Sequence, residues 1–412
     1  MGRITRVFGQ HDEKTLIQLE DVASRAEAAA LMADGHVGYV MPIGGVAAYD
    51  DKVSVVGVGF DIACGNAAIR TDVTLESLGR SPEEVRRALE NIADEVAGTV
   101  SFGMGRRNRA DDAPVDHELF VDPAWDAVPE KHRQALRVKA RQQLGTVGSG
   151  NHYVDVFVDE EGALWVGVHF GSRGFGHTVA SGFLALGQGR EWGQRVPEAE
   201  TLLELARPIG HDYWHLMNLA GRYAYAGREW VARKVVRLLG GNELDLVHNH
   251  HNFAWKEVHD GEEVIVVRKG ATPAFPGQRG FIGGSMGDDA VIVRGVTADE
   301  AAETVRAAQR AALYSTVHGA GRVMSRTQAA GKRNRRTGQV IRPGLVSPGM
   351  MQAWVKEKGV ILRGGGLDES PHVYRRLPEV LAAQEGTIEV EHVLSPLIVV
   401  MAGADEFDPY KD

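Results

Sequence analysis

A chain of 412 residues with 43% hydrophobic, 25% charged and 7% aromatic residues can bury a large core, which excludes an intrinsically disordered protein. The formal net charge of -9 argues against broad coating of nucleic acid, because nonspecific phosphate binding scales with clustered Lys and Arg, yet it leaves room for a local basic groove. The single cysteine forbids an intramolecular disulfide; with no bilayer-length apolar span and no apolar core in Met1-Gly2-Arg3-Ile4-Thr5-Arg6, a soluble cytoplasmic protein without membrane contact is expected.

In chain order, the first informative element is the apolar run Val53 to Phe60, read as a strand that breaks into the turn Asp61-Ile62-Ala63-Cys64-Gly65. A thiolate and a carboxylate three residues apart can point into one small space, so Asp61 and Cys64 are candidate metal ligands. The bland alternative is an inert cysteine packed like a small hydrophobe. Ser81-Pro82-Glu83-Glu84 supplies an N-cap, a proline at the first helical position and a capping-box acid, and predicts a helix through about Val96. The basic run Arg106-Arg107-Asn108-Arg109 follows, and a second helix is expected from Pro129 to Leu144. Tyr153 to Val158 and Leu164 to Phe170 flank Asp159-Glu160-Glu161-Gly162, a hairpin that brings His152 and His169 to one end.

From Glu198 to about Leu239 the pattern predicts a long helical region, broken near Pro208-Ile209-Gly210. His248-Asn249-His250-His251-Asn252 sets imidazoles beside amides, and Glu263 to Arg268 and Ala290 to Val293 are strand-like. Thr297-Ala298-Asp299-Glu300 reads as a capping box opening an Ala-rich helix towards Tyr314, with His318 just past its end. Gly277 to Gly287 and Arg363-Gly364-Gly365-Gly366 offer backbone amides that can cradle phosphate, although glycine clusters are more often plain turns. Lys332-Arg333-Asn334-Arg335-Arg336 is a second basic run, and charge runs are usually solvated surface.

Seven segments occur in an order that makes the chain resemble the RtcB family of RNA-splicing ligases over about residues 35 to 403. They are Asp61-Ile62-Ala63-Cys64-Gly65, Gly148-Ser149-Gly150-Asn151-His152, His169-Phe170-Gly171-Ser172-Arg173-Gly174, His251-Asn252, Arg268-Lys269-Gly270-Ala271-Thr272, Gly284-Ser285-Met286-Gly287, and His318-Gly319-Ala320-Gly321-Arg322 continuing to Arg326. The resemblance implies two divalent ions bridged by Cys64, with Asp61 and His152 on one and His169 and His251 on the other. It implies His318 as the nucleophile that is guanylylated by GTP, and manganese as the metal, although a Cys/His-rich site would by softness prefer zinc or cobalt. Zinc is therefore expected to bind more tightly but to support little turnover. Asn151, Asp155, Asn252, Gly283, Gly284, Ser285, Met286, Gly319, Ala320 and Gly321 are implied to bind the nucleotide, and Arg173, Arg322 and Arg326 to clamp phosphate. The latter pair would lie one turn apart if helical.

The implied reaction opens a 2′,3′-cyclic phosphate on RNA to a 3′-phosphate, moves GMP from His318 onto it, and seals the strand when a 5′-hydroxyl displaces GMP. RNA with such ends is the implied partner, and the resemblance leaves room for an activating protein. Three departures fall on the base-reading part of the pocket: Asp155 replaces a glutamate, Asp288-Asp289-Ala290 replaces Thr-Ala-Ser, and Ala402 stands where relatives place a guanine-contacting lysine. Altered guanine discrimination is expected. The rival readings are a dinuclear metal phosphoesterase acting on nucleic-acid ends, which would not need His318, and an end-binding module without turnover. The expected fold is one α+β domain of complex topology at residues 1–403, with mixed sheets around a central dinuclear metal cleft, and an acidic tail at 404–412.

Overall fold

The computed structural model describes residues 3–332 and 339–404 together with Glu406, and Arg333 by its backbone alone. Asn334, Arg335 and Arg336 of the second basic run and most of the acidic tail, including Lys411, lie outside the described residues.

The chain is a mixed α+β domain organised by two large sheets. The larger runs in the order Arg279–Ile282, Ala290–Gly295, Ile388–Met401, Tyr153–Val158, Ala163–Phe170, Gly65–Thr74, Glu243–His250, each neighbour antiparallel to the next. Ile361–Arg363 adds to Ile388–Met401 in parallel. The two end strands of this series are drawn together by side chains. Asn249 Oδ1 accepts from Phe281 N at 3.0 Å, and Asn66 Nδ2 donates to Phe281 O at 2.7 Å, so the sheet nearly closes on itself. The second sheet orders Arg3–Val7, Ala28–His36, Ile43–Tyr49, Glu262–Lys269 and Asn252–His259.

Sequence periodicity explains which faces are covered. Every residue of Ala163–Phe170 is buried, as a continuous apolar run demands of a strand covered on both sides. The helix Pro82–Thr99 turns Leu89, Ile92, Ala93 and Val96 inward, a 3.6-residue spacing; each large apolar side chain so buried contributes about 1.5–3 kcal/mol. Its N-cap is Ser81, whose hydroxyl accepts from Glu84 N. The 31-residue helix Pro208–Leu238 packs with Arg173–Gly187 and Glu130–Gln143 around a core that includes Trp125, Phe175, Tyr213 and Tyr223.

Three sequence expectations are corrected here. The run Val53 to Phe60 is not one strand: Lys52–Ser54 is extended, and the Ser54 hydroxyl accepts from Gly57 N to cap a helical turn at Val55–Val58. The long helix begins at Pro208 rather than breaking there, because proline at the first helical position gives up no intrahelical bond; Leu202–Glu204, upstream, is a strand. Thr297 and Glu300 do bond reciprocally, but they close an isolated turn, since Arg294 pairs with Glu300 and the helix starts later, at Glu303. His318 then follows a short strand, Ser315–Val317, rather than the helix itself.

Candidate metal centre

Strand order gathers the candidate ligands at one end of the larger sheet. Cys64 immediately precedes the strand Gly65–Thr74, whose two neighbours supply His169, opposite Asn66, and His251, just beyond His250. His152 sits one residue before Tyr153, which pairs with His169. Backbone bonds fix the turn: Cys64 N donates to Asp61 O at 3.0 Å, Ala63 N to Asn252 O at 2.7 Å, and His251 N to Cys64 O at 2.8 Å.

The side chains form two donor groups that share the thiol, Asp61–Cys64–His152 and Cys64–His169–His251, each with ligand atoms within 4.8 Å of one another. Cys64 Sγ lies 3.6 Å from His152 Nε2 and 3.5 Å from His169 Nε2, and His152 Nε2 lies 3.0 Å from Asp61 Oδ2. Metal–ligand bonds of about 2.0–2.3 Å at tetrahedral angles put neighbouring donors roughly 3.5 Å apart, close to the spacings of the thiol from the His152 and His169 rings. Buried His251 Nδ1 has no hydrogen-bond partner among the described residues, as a group reserved for a ligand would not, whereas His152 turns its Nε2 to the thiol and Asp61 and its Nδ1 to Gly148. Small residues make the room. A Cβ on Gly171 would meet Asp61 Oδ1 at 2.2 Å, and one on Gly148 would meet His152 Nδ1 at 2.2 Å.

Supporting residues that sequence reading missed are as informative as the ligands. His169 Nδ1 is 2.6 Å from Asn66 Oδ1, which fixes the ring with Nε2 facing the thiol, and Tyr153 stacks on the same ring at 5.4 Å. Asn66 was legible only as an amide placed inside an apolar strand. Replacing it with alanine is expected to weaken metal binding by about 10–100-fold, measured by competition with a chelator, as loss of an outer-shell partner does elsewhere; unchanged affinity would remove Asn66 from the site. Arg228 is fully buried behind the cleft. It donates to Ala63 O at 2.8 Å and Phe170 O at 2.5 Å, the residues flanking Cys64 and His169, and to His248 Nε2 and His250 Nδ1 at 2.9 and 2.7 Å. Those two histidines thus serve the scaffold, and neither joins a donor group. Ala63 is held left-handed at φ 61°, a conformation costly for a side-chain-bearing residue, directly beside the cysteine.

Electrostatics prepares these groups for cations. Burial alone would raise the Asp61 carboxyl, but His152, and then Arg173, hold it down at about 2. Burial, then the charge on Asp61, pushes the Cys64 thiol well up, while burial and neighbouring imidazoles push His169 and His251 well down. The Asp61 carboxylate and the His169 and His251 imidazoles are thereby biased towards their coordinating forms, whereas the thiol must give up a proton to bind. Apparent metal affinity is therefore expected to rise about tenfold per pH unit between pH 6 and 8, one proton leaving per bridged pair. Titration calorimetry in buffers of differing ionisation enthalpy would count that proton; a count of zero would exclude the thiol as a ligand.

His318 lies next in the row of rings, its centroid 4.9 Å from that of His251, which is itself 5.1 Å from His169. The second sheet contributes Asp34, fully buried, whose Oδ2 accepts from His318 N at 3.0 Å and Gly319 N at 3.3 Å. The same oxygen is 2.6 Å from His318 Nδ1, a charge contact whose angle falls short of a hydrogen bond. Asp34 could have been suspected as an acid inside the apolar strand Ala28–His36.

The remaining predicted residues divide into two groups. Asn151 Nδ2 is 3.4 Å from His169 Nε2, and Asn252 Oδ1 accepts from Gly270 N at 2.7 Å, setting a turn that packs against His318. Gly283 touches both Tyr153 and Gly319, and Gly321 packs on the Asp34 carbonyl, while Ala320 and Met286 are buried. The structure thus brings Asn151 and Asn252 to the row of rings, with Gly283 and Gly321 beside Gly319 and Asp34. Ser285 instead donates to Asp288 Oδ2 at 2.6 Å, a carboxylate also bonded by Arg376, and Gly284 packs on the Asp289 carbonyl. Arg173 reaches Gly103 O and Thr146 Oγ1 and lies against Gly148. Arg326 flanks Gly150 but is paired with Asp368 and Glu369, and Arg322 bonds Glu369, Tyr374 and the Asp368 carbonyl. The two arginines do not share a helix, because Ser325 caps a new one beginning at Arg326.

These features define an α+β protein built around a buried cleft that can hold two cations, with a histidine at one end. Comparison with known proteins gives the family. The family model described as tRNA-splicing ligase RtcB matches residues 16–402, and the chain belongs to the RtcB family. It is 31% identical over 392 residues to the RNA-splicing ligase RtcB of Escherichia coli strain K12, covering 90% of this chain and 89% of that one. It is 32% identical to the tRNA-splicing ligase RtcB of Archaeoglobus fulgidus, over 86% of this chain and 83% of that one. The RNA-splicing ligase RtcB of Mycobacterium tuberculosis is 31% identical, with 85% and 91% covered. Among the described residues, no helix is long and apolar enough to cross a membrane.

Proposed function

We propose that this protein is a GTP- and manganese-dependent RNA ligase that joins 3′-phosphate or 2′,3′-cyclic phosphate ends to 5′-hydroxyl ends. The observation that carries this reading is the pair of donor groups sharing Cys64 with His318 alongside, within a chain of the RtcB family. Two divalent cations held there would neutralise phosphate charge and polarise the attacked phosphorus. His318 attacks the α-phosphorus of GTP through its ring nitrogen, forming a P–N bond and releasing pyrophosphate. Asp34 orients the ring and offsets the charge it gains. Water opens the cyclic phosphate; a 3′-phosphate oxygen then takes GMP from His318, and the 5′-hydroxyl oxygen displaces GMP to form the phosphodiester. Asn151 and Asn252 brace the neighbouring ring and turn, and Arg173, close enough to act on the Asp61 charge, would supply a cation to the phosphate.

The base-reading side supports relaxed guanine discrimination. Ala402, where the resemblance places a lysine, is buried and directly follows Met401 of an apolar cluster with Met286 and Met351, against which Tyr153 packs. Asp155 is buried among the strands, and burial pushes its carboxyl well above the usual range, which disfavours the charged form that would best accept from guanine N–H donors. Losing such partners costs about 1–3 kcal/mol of discrimination each. Incubating the purified protein with manganese and each labelled NTP, then mapping any adduct, is expected to place GMP on His318 with other nucleotides also accepted. Attachment from GTP alone would refute the relaxed specificity, and attachment to another residue would refute His318 as nucleophile.

A further inference from the structure

The Asp61 end of the cleft carries an aromatic wall that the chemistry above does not use. Phe60 directly precedes Asp61 and is anchored against the core. Its ring centroid lies 6.4 Å from that of Tyr39, edge-on at 88°, and 5.6 Å from that of His177. Tyr39 is 50% exposed, in a loop that also exposes Val37. That loop is fastened rather than loose: Gln18 Nε2 donates to Gly38 O and Tyr39 O at 2.8 and 2.9 Å, and Gln18 Oε1 accepts from Gly38 N at 3.0 Å. Cations stand beside it. Arg173 lies one helical turn before His177, and Lys139, bonded to Thr178 Oγ1, is close enough to act on the His177 charge, as is Asp61.

We propose that the exposed Tyr39 ring, buttressed edge-on by Phe60 with His177 behind it, is a stacking shelf for the first nucleobase of the 5′-hydroxyl strand. This rests on the ligase reading. Single-stranded nucleic acid is held by aromatic faces interleaved with cations, because every base has a π-face and every linkage a charge. The choice of strand follows from in-line displacement. In the sealing step the bond from phosphorus to the departing GMP breaks as the bond to the 5′-oxygen forms, and the two oxygens lie on opposite sides of phosphorus. GMP is delivered from the His318 end of the row His318–His251–His169–His152–Asp61, so the 5′-hydroxyl enters from the Asp61 end. The shelf stands there.

The test uses steady-state joining of two 5′-hydroxyl RNA strands that are identical except that one lacks the base on its first nucleotide. The intact strand is expected to show a roughly tenfold lower KM with the natural protein. Tyr39→Ala should erase that preference, Tyr39→Trp should keep it, and nucleotide attachment to His318 should be unchanged in both, which also reports that they fold. Equal KM for the two strands with the natural protein, or a preference that survives Tyr39→Ala, overturns the shelf and leaves the ligase reading standing. No nucleotide attachment by the natural protein overturns the ligase reading, and the shelf with it.

Discussion

Replacing His318 with alanine is expected to end nucleotide attachment and strand joining, a loss on the order of 10³-fold or more, as removal of a nucleophile produces in other covalent catalysts. The change is chemically narrow. His318 belongs to neither donor group, and its backbone N–H to Asp34 survives the substitution, so both cation sites should persist. Any opening of a cyclic phosphate that needs only the cations and water should also persist. Assaying attachment, joining and cyclic-phosphate opening side by side separates the readings: a phosphoesterase would keep its full activity, and an end-binding module would show none before or after the change. Joining retained at more than a few per cent would disqualify His318.

Replacing Cys64 with alanine is expected to have the second large effect, because its sulfur is the one atom common to both donor groups. Loss of a single outer-shell partner costs about 10–100-fold, and loss of a bridging ligand acts on two ions at once. Metal content measured after dialysis should fall from two ions per chain to one or none, with attachment and joining falling together. The fold should survive. Cys64 is a small buried side chain, and its removal leaves a cavity costing on the order of 1–2 kcal/mol, readable as a modest shift in the thermal melt of metal-free protein. Two ions bound with full affinity in the variant would exclude the thiol bridge.

Much of the molecule could be read before any coordinates. Ser81-Pro82 marked a helix start, and two apolar runs either side of the turn Asp159–Gly162 marked a hairpin, because both signals are local: a capping hydroxyl and a turn act within a few residues. Where reading failed, a distant partner had intervened. Thr297 and Glu300 bond each other without forming the capping box, since the Thr297 hydroxyl donates to the Glu300 carboxylate, and Arg294, which also pairs with its strand partner Glu389, ties that turn outside the helix. Val55–Val58 took a helical turn because Ser54, held buried by donating its hydroxyl to the distant Glu200 carboxylate, caps it.

The same division runs through the site. The sequence by itself determined which chemistry is on offer: one thiol, one nearby carboxylate, several imidazoles beside glycines and amides, and a fold class that buries them. It also carried, in motif order, the resemblance to the RtcB family that the family model bears out. Only the tertiary structure decided that Cys64, His152, His169 and His251 share a space, since sheet order sets neighbours that lie about a hundred residues apart in the chain, for instance Cys64 and His169 with a separation of 105. The resemblance already pointed to His251 rather than His248 or His250; the structure supplies the physical reason, since those two rings go to Arg228, and only it revealed Asp34 and Asn66 as the groups that aim the reactive rings. Side-chain direction within a strand alternates at each residue, so the choice among adjacent histidines depends on which face the rest of the fold covers.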